Sequence, residues 1–413
     1  MAGASIPERA VDKPDPADYI EAHILPRMDP EIVDYITPMV KNLPAKPATI
    51  EDIRANPAAF RGRISVDTSE GFEGMTQYEL TSKDGGTFPI RVYHPHGAAA
   101  QENLGAVGAT ANAGAGVHIN FHGGGFVLGD LYTEAQLCLS MREAGIVVVD
   151  VNYRHCPDTL WGKCFEDAWA VLLWVRENAS SLKVNPASLS IGGVSAGGYI
   201  STVLHQRARD EGIPLRLVMP TVPATSGSLF YDFYTDSPFS SFHEFVRTPI
   251  LSWARIQSFA GMVVDSVTDE QAGVDRSDAA AASRKKKIAF LKKTWPTEWV
   301  APLSNTNFKD LAPVFVRTAE LDLLRDEGEA YAMAVVKAGG TATLKRYPGT
   351  LHTFMFLDFG VQKHAYDVDS IVALRQAHGL APLALDEIKA RVDRVLAEVK
   401  AQQQREKEQG KKY

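Results

Sequence analysis

The segment Gly193-Val194-Ser195-Ala196-Gly197 constrains this 413-residue chain more than any other. It follows an apolar run, Leu189-Ser190-Ile191, and opens a stretch, Tyr199 to Arg209, with helical character. A strand, G-x-S-x-G and a helix in that order describe a nucleophile elbow, in which a serine sits on a very tight strand-to-helix turn. The turn leaves no room for side chains two positions either side of the serine, and glycine meets that need. Taken alone, the pentapeptide fits a bland Gly-rich turn equally well. Its weight comes from what surrounds it.

Upstream, Val117-His118-Ile119-Asn120-Phe121 reads as a short strand running into His122-Gly123-Gly124-Gly125-Phe126. Ester hydrolysis creates a tetrahedral oxyanion, which needs preorganised N–H donors at about 2.7–3.1 Å. Glycines let backbone N–H groups face a substrate without intervening side chains. Gly123 and Gly124 are assigned as two donors, and the N–H of Ala196, next to the serine, as the third. Downstream, the β-rich run Val314 to Ala319 precedes Glu320-Leu321-Asp322, which puts Asp322 just past a strand end. Asp326 and Glu327 suit the start of the following helix, where acids favour the N-terminal dipole. Another strand-like run, Thr341 to Arg346, precedes Tyr347-Pro348-Gly349-Thr350-Leu351-His352, which sets His352 on a loop. The chain holds eleven histidines, so His352 counts only in company with the other pieces. Their order is Ser195, Asp322, His352, the Ser…Asp…His order of α/β-hydrolases.

These residues resemble the hormone-sensitive-lipase family of α/β-hydrolases over roughly residues 75 to 360. His122-Gly123-Gly124-Gly125 is similar to that family's HGGG motif, and Gly193 to Gly198 to its GDSAGG motif. Asp322 to Tyr331, DLLRDEGEAY, resembles its DPLRDEGxxY block, and Tyr347 to His352 its YxGxxH segment; Val151-Asn152-Tyr153-Arg154 matches its DYR block in part. Three positions depart from the pattern. Val194 stands where the family usually has an Asp that braces the elbow. Leu323 replaces a Pro. His155 to Trp161, HCPDTLW, replaces an APExxFP segment beside the pocket. The resemblance implies hydrolysis of carboxylic esters, often with short or medium acyl chains, without metal or organic cofactor.

The expected fold is α/β: an α/β-hydrolase with a mostly parallel eight-stranded sheet, helices on both faces and a helical cap. Strands are expected at 75–80, 88–94, 117–121, 146–153, 189–193, 217–222, 314–319 and 341–347. Residues 71–223 and 301–400 form the two parts of the catalytic core, because one sheet must gather residues 122, 195, 322 and 352. Residues 224–300 hold twelve large aromatics, Trp253 among them, and are assigned as a cap insertion. Residues 1–70 contribute to that cap; the family places caps in both positions. Phe126 and Trp253 are the candidate substrate-binding residues. Residues 97–116 read as a surface loop, Leu385 to Val399 as a docked terminal helix, and 401–413 as a flexible tail.

The formal net charge of −7 argues against nucleic acid, which demands clustered Lys and Arg. No apolar run is long enough for a membrane span, and the first twenty residues lack a signal-peptide apolar region. Cys138, Cys156 and Cys164 lack metal-ligand spacing and read as reduced thiols of a cytoplasmic protein. The expected function is a serine carboxylic-ester hydrolase acting on a small to medium hydrophobic ester, with a homodimer as the oligomeric option. The same triad also serves lactone hydrolases, amide hydrolases and acyltransferases, and the same fold serves as a ligand-binding receptor.

Overall fold

A computed structural model describes residues 20–41, 49–57, 64–69, 72–95, 97, 99 and 114–409. Eight strands form one sheet in the order β1-β2-β4-β3-β5-β6-β7-β8. They are β1 Met75–Thr81, β2 Thr87–Tyr93, β3 Ala115–Phe121, β4 Val147–Val151, β5 Val184–Val194, β6 Leu217–Thr221, β7 Val314–Ala319 and β8 Ala342–Tyr347. β1 pairs antiparallel with β2, and β2 with β4. All remaining pairs are parallel. The eight strands match the sequence pattern within a few residues, except that β5 starts earlier, at Val184.

Burial explains why the inner strands are so apolar. β4, β6 and β7 are buried at every residue, as strands covered by helices on both faces must be. The edge strands β1 and β8 alternate with exposed residues. Crossover helices Lys163–Glu177, Ala196–Asp210 and Arg325–Lys337 supply much of that cover. Since β3, β5, β7 and β8 run parallel, their C-terminal ends lie along one edge of the sheet. In an open α/β sheet that edge is where ligands bind.

Between β6 and β7 the chain leaves the sheet and forms helices Ser240–Glu244, Trp253–Asp265, Ala280–Thr294 and Thr297–Val300. The N-terminal segment contains the helices Pro30–Lys41 and Ile50–Ala55. The N-terminal segment touches the insertion directly: Arg27 pairs with Glu244, His23 Nε2 bonds Glu244 O at 3.1 Å, and Arg247 N donates to Glu21 at 3.1 Å. Most of the glycine- and alanine-rich loop expected at 97–116 lies outside the described residues, as do parts of the segment 1–70.

The C-terminal end differs from expectation. The terminal helix, Leu385–Glu408, runs through most of the segment expected to be a flexible tail. The reason is that its buried face continues: Gln402 and Glu406 are buried and bonded to each other at 3.1 Å, and Gln403 reaches Ser65 O at 2.8 Å. Residues 410–413 lie outside the described residues. No helix among those described is long and apolar enough to cross a membrane.

Candidate active site

Ser195 sits at φ 55°, ψ −113°, between the end of β5 and the helix Ala196–Asp210. A non-glycine residue in that region is strained, and it is held by bonds at both ends. Ser195 N donates to Thr221 O at 2.9 Å, and Ser195 O accepts from Tyr199 N at 2.8 Å. The flanking glycines are required by space. A Cβ on Gly193 would lie 2.2 Å from Phe121 O, and one on Gly197 would lie 1.7 Å from the same oxygen. The elbow is thus wedged against the end of β3, which also leads into the glycine loop.

The three residues predicted to act together are brought together. His352 Nε2 lies 2.9 Å from Ser195 Oγ, and His352 Nδ1 lies 2.7 Å from Asp322 Oδ2. Asp322 Oδ1 accepts from Leu324 N at 3.1 Å, which fixes the carboxylate's orientation. Both Asp322 and His352 are buried. Their loops brace each other: Leu321 N donates to Thr350 O at 2.9 Å, and Gly349 N to Glu320 Oε2 at 2.8 Å.

The glycine loop requires a correction. Gly123 N–H, expected as an oxyanion donor, donates instead to Glu134 Oε1 at 2.7 Å. Glu134 is fully buried, its other oxygen accepts from Asn120 Nδ2 at 3.0 Å, and burial pushes its carboxyl up to about 8. By contrast, the N–H groups of Gly124, Gly125 and Ala196 make no hydrogen bond to the described residues. His122 closes the loop from below. Its Nδ1–H donates to Gly123 O at 2.7 Å, its carbonyl accepts from Tyr153 Oη at 2.8 Å, and its ring stacks on Tyr153 at 4.4 Å. Burial holds the imidazole of His122 below its ordinary range.

A small cavity adjoins Ser195. Gly125, Phe126 and Ala196 line it from the core, and Leu229, Ile256 and Phe259 from the insertion. Trp253, the second expected substrate contact, does not line this cavity. It opens the helix Trp253–Asp265 and meets Phe242 edge-on at 6.3 Å. Phe126 does line it, and its ring is also wedged among Trp161, Phe165 and Tyr199 at 5.4 to 6.0 Å. Trp161 comes from the segment HCPDTLW, so that departure from the family pattern serves as a buttress behind Phe126. Val194 is buried.

Two acids in DLLRDEGE have contacts the sequence pattern does not reveal. They do lie in the first turn of the helix Arg325–Lys337, yet both side chains hold the insertion. Asp326 accepts from Ser241 N at 2.9 Å, at the start of helix Ser240–Glu244. Glu327 accepts from Ser226 N at 2.8 Å and from the hydroxyls of Ser226 and Ser228. Burial pushes Glu327 up to about 7. The signal available was an acidic pair immediately before an otherwise apolar helix face.

Residues 118–356 match a family model for the alpha/beta hydrolase fold, the hormone-sensitive-lipase-like family. The carboxylesterase NlhH of Mycobacterium tuberculosis is 32% identical over 310 residues, covering 75% of this chain and 81% of that protein. The AB hydrolase superfamily protein C1039.03 of Schizosaccharomyces pombe is 28% identical over 354 residues, covering 83% and 92%. Among solved structures, a bacterial heroin esterase superposes with a TM-score of 0.65 at 26% identity, covering 86% of this chain and 99% of that one.

Proposed function

The chain belongs to the hormone-sensitive-lipase-like family of alpha/beta hydrolases and is a carboxylesterase-like hydrolase; from that premise we propose that Ser195, His352 and Asp322 hydrolyse a small-molecule carboxylic ester through an acyl-enzyme. The observation that carries this is the continuous chain Ser195 Oγ, His352, Asp322, with links of 2.9 and 2.7 Å.

His352 Nε2 takes the proton of Ser195 as Oγ attacks the ester carbonyl carbon. Asp322 fixes the imidazole tautomer and stabilises its cation. The carbonyl oxygen, now an anion, is received by the N–H groups of Gly124, Gly125 and Ala196; the donor role expected of Gly123 passes to Gly125, because Gly123 is engaged by Glu134. His352 returns its proton to the leaving alcohol. Water, deprotonated by His352, then attacks the acyl carbon; the bond to Ser195 Oγ breaks, Oγ takes the proton back from His352, and the acid is released. Residues 224–300, with the N-terminal segment, act as a cap that excludes water. A binding-only role is less well supported, since His352 lies at hydrogen-bond distance from Ser195.

Assay of p-nitrophenyl esters with Ser195→Ala and His352→Ala is the test. Both variants lose activity, and the double variant is no worse than either single one, because the members act as a unit. Retention of a tenth of wild-type turnover by folded Ser195→Ala would overturn the assignment. An aryl amide and a lactone in the same panel separate those substrates from linear esters.

A further inference from the structure

The cavity beside Ser195 lies on the acyl side of the site, not the alcohol side. The alcohol must depart within reach of His352 Nε2, which protonates it. Ser195, Gly125 and Ala196 form part of the cavity wall, and His352 does not. A group held there has its carbonyl at the serine and the N–H donors, and it extends away from the imidazole. That is the position of the acyl chain.

The cavity is small and apolar. Its volume is about 30 Å³. At roughly 10–15 Å³ for each water-sized group, it holds two such groups, so with the carbonyl oxygen on the N–H donors an acetyl methyl fits and one further carbon fills the space. Leu229, Ile256 and Phe259 supply its outer wall. Besides Ser195, the hydroxyl at its edge is that of Ser228, which already donates to Glu327 at 3.3 Å. Nothing there would recognise a charged or hydroxylated acyl group.

Phe259 is the part of the wall that fixes its depth. Its ring rests on Gly125: a Cβ built at Gly125 would lie 2.5 Å from it. The ring therefore forms the part of the cavity wall that packs on the glycine loop, and the loop stops it from sinking further. Ile256, one turn earlier on the same helix, fills the space beside it.

We infer that Phe259 sets the acyl-length limit and that the substrates are esters of two- and three-carbon acids. This rests on Ser195 as the nucleophile, so the experiment separates the two. Wild type and Phe259→Ala are assayed on p-nitrophenyl acetate, butyrate and octanoate, with Ser195→Ala as blank. Wild-type kcat/KM falls at least about tenfold from acetate to butyrate, the lower range for excess methylenes in a pocket. In Phe259→Ala the butyrate-to-acetate ratio rises at least about tenfold. A measurement on wild type alone needs no variant to fold: p-nitrophenyl methylphosphonate inactivates at least about tenfold faster than its hexyl homologue. Equal or faster wild-type turnover of octanoate, equal phosphonate rates, or an unchanged ratio in folded Phe259→Ala overturns the inference and leaves the nucleophile in place. Esterase activity surviving in Ser195→Ala, or none in wild type on any ester, overturns the nucleophile itself.

Discussion

Glu134 takes no covalent part in the proposed chemistry, yet the glycine loop depends on it. Its carboxyl fixes Gly123 N–H from a position enclosed by protein, and so sets where Gly124 and Gly125 present theirs. Glu134→Gln keeps a carbonyl oxygen for Gly123 and retains most turnover. Glu134→Ala removes it and lowers kcat about 10- to 100-fold with KM little changed, less than the 10²–10³ for deleting a donor outright. Equal kcat for wild type and a folded alanine variant would remove Glu134 from the argument. Asp322→Asn lowers kcat by about 10⁴ by favouring the wrong tautomer; a smaller loss than Asp326→Asn, assayed side by side, would shift the role to the other carboxylate. Val194→Asp places a charge at a buried position and costs about 1–3 kcal/mol of stability, read as a lower midpoint in urea. At this scale Ser195, Asp322 and His352 were legible because each follows a strand end, and strand ends on one sheet edge must converge. Glu134 was not, because its partner depends on how the loop folds back over helix Ala135–Arg142, which no spacing records.

At the scale of elements, the aromatic composition of 224–300 announces a covering structure but not which ring faces the serine. Trp253 and Phe259 lie six residues apart on one helix, which at 3.6 residues per turn sets them about 120° apart around its axis. Ile256 and Phe259, three apart, share a face, and both line the cavity. Trp253→Ala therefore lowers the melting temperature through its lost contact with Phe242 and leaves the acetate-to-butyrate ratio where it was. A shift in that ratio matching that of Phe259→Ala would mean the helix presents its other face. The insertion is also held by Asp326 at Ser241 N and by Glu327 at Ser226. Asp326→Asn weakens the first of these, and limited proteolysis cuts within 224–300 faster than in wild type. The inner parallel strands were legible because covered parallel strands are continuous apolar runs, whereas the edge strands β1 and β8 carry exposed residues between the others. The reach of the terminal helix was not, since Gln402 and Glu406 are polar residues buried by pairing with each other.

For the whole molecule, burial of titratable groups sets the pH range. Burial lowers His94, His118 and His122, and takes His155 to about 3 and His205 and His378 to about 4. Each is neutral when folded and binds a proton when unfolded below about 6.5, so stability is lost as pH falls below that value. Glu134 at about 8 and Asp150 and Glu327 at about 7 act oppositely. They hold protons when folded that the unfolded chain releases above about 4.5, so stability drains as pH rises toward 8. Six histidines outweigh three carboxyls below 6.5 and contribute nothing above it, so the melting temperature peaks near pH 6.5. A thermal-unfolding series from pH 4.5 to 9 checks this, and a midpoint still climbing at pH 8 would contradict it. Arg27 joins Glu244 of the insertion to Glu320 beside the histidine loop, across 293 residues of chain to the second partner. During synthesis the ribosome delivers Arg27 early and Glu320 late, with His352 later still. A nascent chain halted after β6 carries its serine and glycine loop without the base proposed to activate them, so the proposed esterase activity must wait until the histidine loop has been made and has folded onto the sheet.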